Sequence, residues 1–284
     1  MAENHFLSTA LGTAGSGRVR YGAAMALWRD GALSAEQLEC YRIASADDGL
    51  DPALLLRERG LAAPLMTTPS PETLIRSLLA ESDRYIATLP GPGPAEVRQG
   101  IAAFRDRPFA PKVPAPNAVV ERHLQEALAT AAGQEPQLAA LISAAAPHLH
   151  WITYDLYDRS KIGDTFATSH AYCTIMGAGG PLPADDFDLG LFLIAPHVLY
   201  RDHRHAAPEL YAPLTGPHGW RFRPDGPLTL KPAHEPVWNE PFRPHLTKVG
   251  PTPFLCLYGW TCDNDKPAEV LPAADWPELE KLRL

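Results

Sequence analysis

His203, His205, Glu209 and Tyr211 fall within nine residues of the run Tyr200-Arg-Asp-His-Arg-His-Ala-Ala-Pro-Glu-Leu-Tyr211. Residues two apart on a β-strand point to one face, so His203 and His205 form one pair and Glu209 and Tyr211 another. Ala206-Ala207-Pro208 separates the pairs, and its proline marks a turn. Two imidazoles and a carboxylate on one side of neighbouring strands can hold a divalent metal and leave positions open for a reactant. Such donors accept Zn, Fe, Mn, Co or Ni, so the expected cofactor is one divalent transition metal ion of open identity.

The 284 residues are enough to bury a substantial core in one large domain or two modest ones. A formal charge of −8, with no block of Lys or Arg, argues against a nucleic-acid partner. No apolar run approaches the ~18 residues of a membrane span. Met1-Ala-Glu-Asn-His-Phe6 lacks the basic stretch and apolar core of a secretory signal. Cys40, Cys173, Cys256 and Cys262 form no CxxC pair. Cys173 and Cys256 read as small buried hydrophobes in a reducing compartment, and a cytoplasmic location is expected.

The elements that must position the site change character midway. Ser34-Ala-Glu-Gln37 is a capping box opening a helix to about Ala46. Pro71 opens another, with Leu74, Leu78, Leu79 and Ile86 at helical spacing before a Pro-Gly-Pro-Gly-Pro stop at 90–94. Beyond a proline-rich linker at 108–116, Asn117 caps a helix carrying Val120, Leu124 and Leu128, and Gln134–Ala146 forms one more. From Trp151 on, short β-rich runs alternate with Gly, Pro and Asp turns: Trp151–Leu156, Ala171–Met176, Leu189–Ile194, Glu209–Leu214, Gly219–Phe222, Pro227–Leu230, Val237–Asn239, Leu246–Val249 and Phe254–Trp260. This spacing predicts a sandwich or small barrel. The expected organisation is an α-helical region over 1–147 and a β catalytic domain over 148–284.

The spacing His203-x-His205-x3-Glu209-x6-Gly216 resembles the first motif of the cupin superfamily. That resemblance implies a mainly β, double-stranded β-helix (jelly-roll) barrel with the helices packed on it. It also implies a further histidine from a second motif, best matched by His245 in Pro241-x3-His245, with His234 as the rival. His197 and His234 stand where the motifs usually have glycine. Ala195-Pro-His-Val-Leu-Tyr200, Tyr211, Leu255-Cys-Leu-Tyr-Gly-Trp260 and, upstream, Ile175-Met-Gly-Ala-Gly-Gly-Pro181 are similar to the cupin-type dimethylsulfoniopropionate (DMSP) lyases over about 148–265. In that family a tyrosine two residues after the glutamate is the catalytic base, matched by Tyr211. A second lines the pocket three residues before the first histidine, matched by Tyr200. The region to about residue 70 is additional to the compact lyases.

The chemistry implied is β-elimination to dimethyl sulfide and acrylate. A metal would stabilise charge on the substrate carboxylate, a tyrosinate would take the neighbouring proton, and aromatic faces would receive the sulfonium. Candidates for those faces are Tyr200, Trp220 and Trp238, then Tyr154 and Tyr157. The same donors suit a cupin isomerase, hydrolase or Fe(II) dioxygenase acting on another small carboxylate, and a non-enzymatic small-molecule-binding cupin is a third reading. A small-molecule substrate is expected, with no nucleic-acid or membrane partner; cupins commonly pair barrels, which makes a homodimer compatible. His148 and His150 form a second HxH without a following carboxylate, Asp185-Asp186 lies in a turn, and His170 is a weaker candidate for the barrel interior.

Overall fold

In the computed structural model, which describes residues 4–64 and 69–284, the chain forms two compact units. Of the stretch read as lacking a secretory signal, Met1–Glu3 lie outside the described residues. One unit comprises 1–78 and 128–144, the other 79–127 and 145–284. The units differ from the single division at 147/148 read from the sequence, because residues 79–127 cluster with the β region.

The first unit contains helices α1 (Ser16–Arg29), α2 (Ala35–Ala44) and α3 (Pro52–Glu58), with the start of α4 (Pro71–Ile86). The capping box on α2 is present, Ser34 Oγ accepting from Gln37 N–H and Gln37 Oε1 accepting from Ser34 N–H. Helix α4 ends at Ile86, ahead of the expected stop, and two prolines of that stop open α5 (Pro92–Phe104), since a first helical turn needs no N–H from Pro92 or Pro94. Asn117 caps α6 (Ala118–Ala131) through Oδ1, and α7 (Pro136–Ala145) follows. Two short helices, α8 (Arg159–Ile162) and α9 (Asp164–Thr168), precede the strands.

Ten strands follow: β1 (His170–Met176), β2 (Asp188–Ile194), β3 (Leu199–Arg204), β4 (Glu209–Pro213), β5 (His218–Arg221), β6 (Thr229–Lys231), β7 (Val237–Asn239), β8 (His245–Lys248), β9 (Phe254–Trp260) and β10 (Glu269–Val270). They form two five-stranded sheets, ordered β1-β2-β9-β4-β7 and β10-β3-β8-β5-β6. All the pairings are antiparallel, and from β7 to β10 each strand joins the sheet its predecessor left. This alternation is that of a double-stranded β-helix. The two inner faces enclose an aromatic core that includes Phe166, Phe192, Tyr200, Tyr211, Trp220 and Phe254.

Two sequence readings shift. Trp151–Leu156 is not a strand; only Ile152 bridges to Tyr172, and the rest runs irregularly along the cavity. Helix α5 packs on the outside of the first sheet, close enough that a Cβ on Gly93 would lie 2.4 Å from the Trp238 ring. His197 and His234, at the glycine positions of the motifs, adopt the left-handed backbone (φ 63 and 65) that glycine would take most easily.

The outer face of the second sheet is held by a charged cluster behind the site. Arg221 donates to Asp202 through Nε and Nη2 at 2.9 and 2.5 Å and to Asp275 at the start of α10 (Trp276–Lys281), whose Trp276 Nε1 donates to Asp202 at 2.7 Å. Both Arg221 and Asp202 are fully buried. Removing one partner of such a pair strands the other charge, so Asp202→Ala is expected to cost about 3 kcal/mol in a chemical-denaturation experiment. A loss within 0.5 kcal/mol would show that Asp275 compensates for it.

Candidate active site

The turn read at Pro208 and a break in β3 together aim the histidines inward. Tyr200 pairs with Thr247 and His203 with His245, leaving Arg201 and Asp202 opposite the single residue Leu246. That bulge resets the alternation of the strand. Tyr200 and His203, three apart and on opposite faces of a regular strand, therefore both point into the barrel, with ring centroids 3.9 Å apart.

His203, His205 and His245 are buried, and their ligand atoms all lie within 4.8 Å of one another. Each Nδ1 faces a backbone carbonyl: Arg201 at 2.8 Å, Ala207 at 2.8 Å and Arg243 at 2.9 Å. A carbonyl can only accept, so each Nδ1 carries the proton and each Nε2 offers a lone pair. Glu209 Oε2 lies 3.1 Å from Nε2 of His205 and 3.3 Å from that of His245, while its Oε1 accepts from Trp260 Nε1 at 2.7 Å. Nε2 of His203 and of His245 have no hydrogen-bond partner. Burial raises the Glu209 carboxyl, and the His205 and His245 rings, where they carry a proton on Nε2, outweigh it and hold the group well below the usual carboxylate range. Burial and then the neighbouring imidazoles push His203 well below its ordinary value.

Converging lone pairs beside an ionised carboxylate repel unless a cation lies among them. A tetrahedral ion with bonds of about 2.0–2.1 Å has donor–donor edges of about 3.3 Å, close to the two separations at Glu209. The donor set thus fits a divalent metal.

Glu209 reaches the wall of a cavity of about 310 Å³, whose lining residues do not include His203, His205 or His245. Tyr200 and Tyr211 line it, together with Tyr154 and Tyr157. Tyr200 stacks on Phe166 at 4.0 Å and shares a 2.7 Å hydrogen bond with the Tyr157 hydroxyl. Tyr211 packs on Trp220 at 5.4 Å and lies 6.0 Å from the His245 ring. Burial foremost pushes both Tyr200 and Tyr211 well above the ordinary tyrosine value.

Trp220 and Trp238 are not among the lining residues. Trp220 points inward but forms core beneath Tyr211 and Phe254, and Trp238 points out of the barrel onto α5, its Nε1 donating to Glu240. His234 is also elsewhere, its Nδ1 3.0 Å from the Tyr85 hydroxyl. His170 lines the cavity with both ring nitrogens engaged, by Phe166 O and Tyr154 N–H, and burial lowers it to about 4. Asp185 pairs with exposed Arg107, and Asp186 accepts from Asn264 N–H, as turn residues do. Lining residues not singled out from the sequence include Phe166, with Tyr172 and Thr174 on β1 and Asp188 and Phe192 on β2, and the four strand residues lie in alternating positions, a signal the strand parity carried.

Solved structures of DMSP lyases share this fold. One described as the DMSP lyases RdDddP and RnDddQII aligns with 72% of this chain and 100% of its own at a TM-score of 0.54 and 18% identity. The DMSP lyase DddQ from Ruegeria pomeroyi aligns with 69% and 95% at 0.52 and 21%. A Cereibacter sphaeroides protein named for dimethylsulfoniopropionate lyase, DddL, is 29% identical over 112 residues, which are 39% of this chain and 46% of that protein, so the match spans about half the relative's length. The model of the dimethylsulfoniopropionate lyase family matches residues 95–256, more than half of the chain, and reaches back into α5. By that match, the chain belongs to the dimethylsulfoniopropionate lyase family.

Proposed function

We propose that the protein is a metal-dependent carbon–sulfur lyase that cleaves dimethylsulfoniopropionate by β-elimination. The observation that carries this reading is the convergence of three histidine lone pairs beside Glu209, which itself lines a cavity walled by tyrosines. His203, His205, His245 and Glu209 would hold the ion. When bound, a divalent ion supplies Lewis acidity toward the substrate carboxylate and lowers the proton affinity of nearby acids.

Tyr211, as the phenolate it would become beside a bound ion, takes the proton from the carbon next to the carboxylate. The C–H electron pair becomes the C=C bond of acrylate, and the C–S pair leaves with sulfur as neutral dimethyl sulfide. The proton then rests on the Tyr211 hydroxyl. Tyr211 is supported as base by its place on β4 two residues beyond Glu209, which brings it to the same inner face. Tyr200 is locked by its stack on His203 and its bond to Tyr157, which suits a group that positions substrate. Trp260 occupies one Glu209 oxygen and leaves the other toward the histidines.

The direct test is headspace detection of dimethyl sulfide from metal-loaded protein supplied with DMSP. Turnover well above the uncatalysed background is expected. Background rates, with oxygen consumed on another carboxylate instead, would replace this reading by a dioxygenase.

A further inference from the structure

The cavity holds a second acid, away from the histidines, that is not neutralised. Asp188 opens β2, half-buried on the cavity wall, and no Lys, Arg or His pairs with it among the described residues. Asn264 Nδ2 donates to its Oδ2 at 2.9 Å, which orients the carboxylate without cancelling its charge. Its Oδ1 is seated against Gly177 (φ 147), where a Cβ would lie 1.8 Å away. Burial first, then Asp186, raises its carboxyl to about 6, against the Asn264 bond, so it remains charged at neutral pH.

Register fixes where this acid stands. Asp188 pairs with Trp260, and Trp260 pairs with Glu209. Residues directly opposite one another share a face, so all three point inward in one row. Strands are about 4.8 Å apart, which puts the Asp188 and Glu209 backbones roughly 10 Å apart across Trp260. The next row brings Tyr258, and the Tyr172 ring stands edge-on to it with centroids 6.3 Å apart. Where Glu209 meets the cavity, a metal held with the histidines would take an anionic group, and the Asp188 side offers a carboxylate among aromatic rings. An ω-onium propionate separates its carboxylate carbon from its charged centre by about 4 Å, a span that fits between the two acidic side chains.

We propose that Asp188, with the faces of Tyr172, Tyr258 and Trp260, receives the onium group of a zwitterionic substrate and selects it over uncharged carboxylates of the same shape. This rests on the reading of the triad as the carboxylate-binding end. An onium centre without N–H has no hydrogen bond to give, so its attraction to this wall is charge and cation–π alone. In elimination that positive charge disappears as dimethyl sulfide forms, so Asp188 stabilises the bound substrate at least as much as the transition state. Its removal therefore acts on KM and not on kcat, and the neutral product is no longer held.

The test measures binding to metal-loaded protein by calorimetry, using trimethylammonium propionate and its neutral isostere with carbon in place of nitrogen. Unaltered protein is expected to bind the onium acid at least tenfold more tightly, and Asp188→Asn to erase that preference while keeping its affinity for the neutral acid. With DMSP, the variant is expected to raise KM tenfold or more with kcat not reduced. Equal binding of the two acids by unaltered protein overturns the proposal, as does a preference that survives Asp188→Asn. Absence of dimethyl sulfide from unaltered protein would sink the lyase reading, whereas the onium preference is read without turnover.

Discussion

Tyr211→Phe is expected to bind metal and fold as the unaltered chain does while losing dimethyl sulfide production by about 10²–10⁴-fold, the range a positioned general base contributes. The substitution removes one hydroxyl and no ring. The ring packs among Trp220, Phe254 and Phe192, and a phenylalanine fills the same volume. Metal content and thermal midpoint serve as controls, and the initial rate of dimethyl sulfide release is the readout. Tyr200→Phe provides the contrast, because it keeps the stack on His203 and loses only the bond to Tyr157. Its smaller expected loss falls mainly on substrate binding. If Tyr211→Phe retained a tenth of the rate while Tyr200→Phe were inactive, the base would be the Tyr157–Tyr200 pair.

The second large effect concerns the choice between His245 and His234. His245→Ala removes one of three converging lone pairs and is expected to lower metal affinity by more than 100-fold, beyond the 10–100-fold typical of losing an outer partner. His234→Gly removes the bond to Tyr85, suits a φ of 65, and is expected to leave metal affinity unchanged at a stability cost of about 1 kcal/mol. Chelator competition followed by metal analysis separates the two. Equal metal content in the unaltered protein and His245→Ala would exclude His245 as a ligand.

Much of the molecule was legible because local rules decide it. The capping box at Ser34, the Pro71 and Asn117 helix starts, and the strands Val237–Asn239 and Phe254–Trp260 follow from patterns a few residues long. Residues 90–94 misled because proline stops one helix and starts the next by the same loss of an N–H, and only packing on the barrel gives α5 a reason to form. Trp151–Leu156 has strand-like composition, but only Ile152 forms a bridge, and the irregular course that follows brings Tyr154 and Tyr157 to the cavity wall.

The tryptophans show the limit of side-chain type as a guide. Trp220 and Trp238 had the right chemistry for a cation, yet one is core and the other lies outside the barrel, because residue type is silent about which face becomes the cavity.

The sequence by itself determined the donor types and their two-residue spacing, hence that His203, His205, Glu209 and Tyr211 share faces of adjoining strands. Three relations were left to the tertiary structure. The bulge at Arg201–Asp202 turns Tyr200 to the side of His203. The pairing of β3 with β8 brings His245, rather than His234, to the other histidines. The order β2-β9-β4 sets Asp188 and Glu209 in one row across Trp260. The reason is common to all three: parity along a strand is local, whereas register and strand order join residues tens of positions apart, and those depend on how two whole sheets bury their inner faces.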